Sequence, residues 1–413
     1  MSEAVEPVVP AQRATTADVR PLLRAGRVHS VDTFRGLTFV AMLFVNELGG
    51  VSGISRWLKH MPANADAMSF PDIVFPAFLF IVGMAIPFAI DARRRAGDDA
   101  LALQRHVLYR AFALIVMGFF MVNAEDGFNA RAMPISIHLW SLLFYAAVFM
   151  CWGVLRFEHM AVTRALRVAG ALIIVALALV YRGGSDSTQT MRPQWWGILG
   201  LIGWAYLFSS EFYLLSRGRV AMLLGFLVFC VAYYAAAHKL DVAPSMKWIF
   251  SQEAHAAHSQ IVLSGIVCSL IFFDAGRRDA DSRRFTEAAL FAAALVLAAA
   301  VLRPSFGISK IYATPSWCLY CAAISIGIFG LLYWTIDMRG RSRWTRLVEP
   351  AASSPLVTYL LPFVVEALLQ QVGLGLPAAL RQGAAGLFWA GIYAALIVWV
   401  VSRLNRRGVR LKI

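Results

Sequence analysis

Twelve apolar runs alternate with short polar stretches along the 413 residues. They fall at roughly 34–51, 72–90, 107–123, 137–155, 166–182, 196–215, 220–237, 259–274, 285–302, 315–336, 353–370 and 384–402. Runs near twenty residues suit a helix that crosses a bilayer. The pattern predicts an all-α, polytopic integral membrane protein with about 12 transmembrane helices, 10–12 being the admissible range. The sixth and seventh runs are separated only by "SRGRV", and the eighth is short for a span. One interruption differs from the others. Between Asn46 and Ile73 lies a mixed stretch that carries Arg56, Lys59, His60, Asp66 and Asp72.

Charge orients the runs. Of the 38 Lys and Arg residues, 28 fall on one side if both termini are cytoplasmic and all twelve runs cross. Lys and Arg accumulate in cytoplasmic loops, so that topology is the expected one. It puts the His60 stretch on the outer side, together with Asp126, His138, Asp186, His238, Glu253, His255, His258 and Lys310. The net charge of +14 then describes orientation. No basic segment is interleaved with aromatics in a soluble context, and nucleic acid is discounted as a partner.

Composition agrees with this picture. The chain is 59% hydrophobic and 15% charged, with mean hydropathy +0.65, which excludes a solitary soluble core. Residues 1–30 hold no apolar signal-peptide core and read as a disordered cytoplasmic tail. Residues 31–413 read as a single transmembrane domain. Cys151, Cys230, Cys268, Cys318 and Cys321 lie in or at the ends of apolar runs, so a disulfide framework is not expected. The Cys318–Cys321 spacing places two small packing residues one helical turn apart. No metal or redox site is supported. Phosphate-binding, dinucleotide-binding and nucleophile-elbow motifs are absent.

The informative residues are polar groups in or beside the runs. Asp32 and Arg35 share a helical face near the inner surface. They read either as an interfacial ion pair or as a pair beneath a cofactor head group. Asn46, about three turns further on, faces either a cavity or a partner helix, because lipid offers no hydrogen bonds. Asp72, after Pro71, can cap the second helix, and it can also orient the His60 ring and raise the basicity of its free nitrogen. Histidine as a residue type can take and return a proton at working pH, which singles out His60, although a loop His is commonly just solvated. "EAHAAH" places His255 and His258 three apart, with Glu253 nearby; without a third convincing ligand they read as a polar rim of an outer cavity. "SKIYATPSW" brings Lys310, Ser316 and Trp317 to the tenth span, and "SSPLVTYLLPF" puts Ser354, Thr358 and Tyr359 on one face. Hydroxyl groups on one face suit a cofactor channel and equally suit helix packing.

These residues fall into an ordered set of blocks. "DTFRG" (32–36), "FVNELGG" (44–50), Lys59–His60 and "DIVFPAFLFIVG" (72–83) resemble the heparan-α-glucosaminide N-acetyltransferase family of transmembrane acyltransferases. "ISKIYATPSW", "SSPLVTYLLP" and the closing "RLKI" resemble that family's later blocks less specifically. The chain departs from the family where "MPANADAM" replaces a Trp-Asn-Gly and where "MPISIHLW" replaces an Ile-Pro-Gly-Val-Leu-Gln-Arg block, with His138 near the Gln position. The Asn46–His60 gap is also a few residues longer, and there are two more predicted spans.

The resemblance implies transfer of an acetyl group from cytosolic acetyl-CoA to an amino sugar or glycan on the outer side. It implies catalytic roles for His60 and Asn46, with Asp72 beside them. His60 would be general base or transient acyl acceptor, and Asn46 would donate to the developing oxyanion. Asp32, Arg35, Ser316, Trp317, Thr358 and Tyr359 are the residues expected along the donor's path. The expected partners are acetyl-CoA as acyl donor, the acceptor glycan, the lipid bilayer and, as an open option, a second copy in a homodimer. The expected location is a bacterial inner membrane. Two rival classes stay open: a glycan or lipid-intermediate transporter or flippase without CoA chemistry, and a non-catalytic envelope scaffold.

Overall fold

The computed structural model describes residues 28–154, 159–240, 245, 247–274 and 281–413. Twelve helices of 16 to 26 residues occupy the twelve predicted places. They are α1 (His29–Leu48), α2 (Phe70–Arg95), α3 (Ala100–Glu125), α4 (Ile137–Trp152), α5 (Met160–Val180) and α6 (Gly197–Ser216), followed by α7 (Val220–Lys239), α8 (Glu253–Phe273), α9 (Asp281–Phe306), α10 (Pro315–Leu332), α11 (Pro355–Gln371) and α12 (Gly383–Arg406). Nine helical segments among the described residues are long and apolar enough to cross a bilayer, and α4 and α11 are shorter apolar helices. The protein is an all-α polytopic membrane protein. Contacts join Ser30 to Asp337 and Val154 to Arg410 at one end of the bundle, here the basic end, and Ser52 to Arg381 and Asp66 to Arg303 at the other. The His60 stretch lies at the far end.

Two boundaries differ from expectation. Helix α1 already begins at His29, inside the segment read as tail; residues 1–27 of that segment lie outside the described residues. Helix α8 begins at Glu253, six residues before the apolar run expected at 259. Its first turns carry Glu253, His255 and His258, and polarity hid them from a hydropathy reading.

Helix α8 is the core of the bundle, buried along nearly its whole length. Its most extensive partner is α2. Their approach is fixed by glycine. A Cβ on Gly83 would stand 2.0 Å from the Val262 carbonyl oxygen, and one on Gly265 would stand 2.0 Å from that of Phe80. Such close backbone contact is how membrane helices gain packing energy when lipid is as apolar as the side chains. Helices α5, α7 and α9 instead leave large apolar residues exposed, among them Leu179, Val228 and Leu297, as a lipid-facing surface requires. At the basic end, residues 410–412 cross the end of α4, held by Val154 N–H on the Arg410 carbonyl (2.8 Å) and Lys412 N–H on that of Trp152 (2.9 Å).

Candidate active site

Helix α2 opens at the far end with a reciprocal capping box between Ser69 and Asp72, and Pro71 sits in the first turn. Both residue choices suit a helix start. The cap leaves Asp72 buried, with one carboxylate oxygen saturated. Oδ2 accepts from the backbone N–H of Met61 (3.1 Å), the N–H of Ser69 (3.0 Å) and the Ser69 hydroxyl (2.9 Å). Oδ1 meets His60 Nδ1 at 2.7 Å. A carboxylate there assigns the ring proton to Nδ1 and leaves the Nε2 lone pair free. The His60 side chain is 47% exposed, whereas that of Asp72 is 2% exposed. The ring is therefore anchored on one edge and open on the other.

Lys310, from the α9–α10 connection, completes the cluster. Its Nζ lies 3.2 Å from both His60 ring nitrogens. A position in the ring plane equidistant from both would collide with the carbon between them, so the amine sits over the ring face and leaves Nε2 unobstructed in plane. Burial holds Lys310 below the ordinary lysine range, against the opposing pull of Asp72 and Cys321. The loop that carries His60 is fastened to the segment that carries Lys310. Arg303 Nε bonds both Asp66 carboxylate oxygens (3.1 and 3.0 Å), and the Ile308 N–H donates to Asp66 Oδ1 (2.8 Å). From α10, Trp317 Nε1 donates to the Asp72 carbonyl at 3.2 Å.

Two cavities follow one another along the seam between α1 and α11. The first, of about 320 Å³, is mostly apolar; Phe39, Met42, Phe75, Phe78, Leu356 and Tyr359 line it. Its basic end carries Arg35, Arg110 and Lys412. His106, next to this mouth, is flanked by Arg93, Arg110 and Lys412. The second cavity, about 430 Å³ at the far end, is more polar than the first; Asn46, Glu47, Glu366, Arg381, Trp389 and Tyr393 are among its lining. Trp389 Nε1 donates to Glu47 at 3.3 Å. Lys59 reaches the Gly49 carbonyl at 3.5 Å, so the His60 loop borders the rim of this cavity at Gly50. Phe75 of the first cavity lies three residues below Asp72, a rise of about 4.5 Å along α2.

A family described as "Domain of unknown function (DUF5009)" matches residues 27–259, more than half of the chain. The chain belongs to this family. It is also similar to two curated proteins named heparan-alpha-glucosaminide N-acetyltransferase. The mouse protein is 38% identical over 112 residues, 26% of this chain and 16% of the relative. The human protein is 37% identical over 98 residues, 24% of this chain and 14% of the relative. These matches span about a sixth of the length of those relatives.

Within this family member the residues singled out from sequence divide into groups. His60 and Asp72 are in direct contact, and Trp317 reaches the same place through its indole N–H. Asn46 is exposed in the far-end cavity; among the described residues no hydrogen bond joins it to His60, Asp72 or Lys310. Asp32 and Arg35 pair at 3.2 Å at the basic end. Arg35 lines the apolar cavity, while Asp32 lines a separate polar pocket with His29, Arg346 and Glu349. Tyr359 lines the apolar cavity. Ser316 and Thr358 are buried, line neither cavity and donate to the backbone, Ser316 to Gly307 and Thr358 to Ser354 at 2.9 Å. His255 and His258, read as a rim, are buried instead, 5% and 4% exposed. Ser69 and Lys310 had no signal linking them to His60, because a cap and a contact 250 residues away leave none in a single sequence.

Proposed function

We propose that this chain is a membrane acyltransferase. It would take an acetyl group from acetyl-CoA at the basic, cytoplasmic end and transfer it to an amino sugar or glycan at the far end, with a bacterial inner membrane as its site of action. One relationship carries the reading. A loop imidazole is oriented by Asp72, and that carboxylate stands one turn beyond Phe75, a wall of the apolar cavity with the basic mouth, on the same helix. The similarity to the N-acetyltransferases over a quarter of the chain supports the same chemistry.

A glycan does not enter the cytosol and coenzyme A does not leave it, so a shared protein interior must bring them together. Arg35, Arg110 and Lys412 offer charge-assisted contacts to donor phosphates. The apolar cavity suits the pantetheine arm, whose thioester then approaches the Phe75 turn. The acceptor approaches over the rim of the polar cavity, where Asn46, Glu47 and Trp389 can hold hydroxyl and amine groups. His60 Nε2 takes a proton from the acceptor nitrogen or oxygen as it attacks the thioester carbonyl. The C–S bond breaks, sulfur leaves with the electron pair, and the proton passes from His60 to the thiolate. Asp72 holds the tautomer and offsets the charge on the imidazolium.

The test is acetyl transfer from acetyl-CoA to glucosamine by purified protein in detergent or vesicles. His60→Ala should abolish transfer while CoA still raises the melting temperature. Undiminished transfer in a folded His60→Ala protein would sink the reading. A wild-type protein indifferent to CoA would favour the transporter class.

A further inference from the structure

We propose that His258 is the hydrogen-bond donor to the thioester oxygen during transfer, the oxyanion-stabilising residue of the site. This rests on the acyltransferase reading above.

The argument starts from an unsatisfied atom. His258, on the core helix α8, is 4% exposed, and its Nδ1 has no hydrogen-bond partner. The Ala254 carbonyl one turn back acts on the ring as a hydrogen-bond acceptor, but the contact falls short of full hydrogen-bond geometry at Nδ1. A buried polar group left unpaired costs about 1–3 kcal/mol, and most such groups in folded proteins are satisfied. An exception calls for a reason, and its location supplies one. The His258 ring meets Phe75 edge-on at 5.5 Å between centroids, and it meets Trp317 perpendicularly at 6.3 Å. Phe75 is a wall of the donor cavity. Trp317 carries the Asp72 carbonyl, and Lys310 is close enough to His258 to interact electrostatically. His258 therefore stands at the junction between the donor cavity and the His60–Asp72–Lys310 cluster. Phe75, in ring contact with His258, stands between it and the donor cavity.

The chemistry needs a donor at this point. When the acceptor attacks, the carbonyl oxygen becomes an alkoxide, and a preorganised N–H aimed at it lowers the barrier without itself losing a proton. An imidazole N–H can do this while His60 handles the travelling proton. Asn46, the other candidate donor, opens into the far-end cavity beside Glu47, which suits contact with the acceptor.

The experiment compares His258→Phe and His258→Gln with wild type and His60→Ala, using acetyl-CoA and glucosamine. The Phe variant keeps a planar ring in the aromatic pocket but has no donor. It is expected to lose about 10²–10³ in kcat. The affinity for free CoA, which has no acyl carbonyl, should stay within twofold of wild type. The Gln variant, still able to donate, should recover part of the loss. Wild-type kcat in His258→Phe overturns the proposal, as does a parallel loss of kcat and CoA affinity. If the Phe variant fails to fold, His258→Leu takes its place: lost kcat at unchanged CoA affinity supports the role, and wild-type kcat, or loss of CoA affinity in step with kcat, overturns it. Should His60→Ala remain active, the parent reading falls; should His60→Ala be inactive while His258→Phe keeps wild-type kcat, this inference alone falls.

Discussion

His60 Nδ1 and Asp72 Oδ1 stand 2.7 Å apart, although one belongs to an irregular loop and the other to the first turn of α2. The contact is held from the Asp72 side by three further donors on its second oxygen. Asp72→Asn tests it most directly. The amide can still accept from the capping donors but presents the wrong partner to Nδ1, so the ring loses its tautomer. In the serine-protease triad the equivalent change costs about 10⁴ in kcat. Here a loss between about 10² and 10⁴ is expected, with the KM for acetyl-CoA little changed. Unaltered kcat in a folded Asp72→Asn protein would remove Asp72 from the mechanism.

Lys310 lends the site a dependence on pH. Burial lowers its pKa, so between that lowered value and the ordinary lysine value near ~10.4 the native chain binds fewer protons than the unfolded chain. Stability contributed by this residue should therefore rise with pH across the window. Lys310→Met removes the term. Thermal unfolding in detergent, followed from about pH 7 to pH 10, should show wild type gaining on Lys310→Met as pH increases. Parallel curves would mean that the amine is free to charge in place.

The places of the helices were legible because length and hydropathy dominate a membrane helix, and each of the twelve runs met a helix, although only nine helical segments among the described residues are long and apolar enough to cross a bilayer. His60 and Asp72 were legible because they are near in sequence and belong to one block. Lys310 was not, since its approach to the ring depends on how the α9–α10 connection folds back over the far end. His258 was misread for a different reason. A His at a predicted span boundary looks like rim polarity, and only the early start of α8 and its burial by α2, α7, α6 and α10 show otherwise. Asn46 looked like a partner of His60 from the block order, yet the helix carries its side chain into the neighbouring cavity.

Arg110 should matter for donor affinity and not for chemistry. It lines the mouth of the apolar cavity, its guanidinium lies 4.9 Å over the Tyr206 ring, and its buried Nε has no partner. Hydrogen bonds to charged groups contribute about 1.5–3 kcal/mol. Arg110→Ala is thus expected to raise the KM for acetyl-CoA by about 10- to 100-fold with kcat nearly intact. Arg56→Ala, a charge change of the same sign in the far-end loop, should leave that KM alone. Equal effects of the two substitutions would argue that the basic mouth is not where the donor binds.

Asp66 separates positioning from stability. Its ion pair with Arg303 has both partners about half exposed, at 54% and 47%. Exposed pairs contribute only about 0–1 kcal/mol, so Asp66→Ala should barely move the melting temperature. The same carboxylate nevertheless ties the His60 loop to Arg303 and to the Ile308 N–H, two residues before Lys310. Losing it lets the loop and the lysine segment move apart, and a displacement near 1 Å can cost about 10² in rate. Transfer to glucosamine should fall by about that factor, while CoA affinity, set at the opposite end of the bundle, stays the same. Asp66→Asn, which keeps acceptor oxygen for Ile308, should fall between the two. Full activity in Asp66→Ala would mean that Ser69 and Met61 alone hold the loop over α2, and that Lys310 acts independently of the tether.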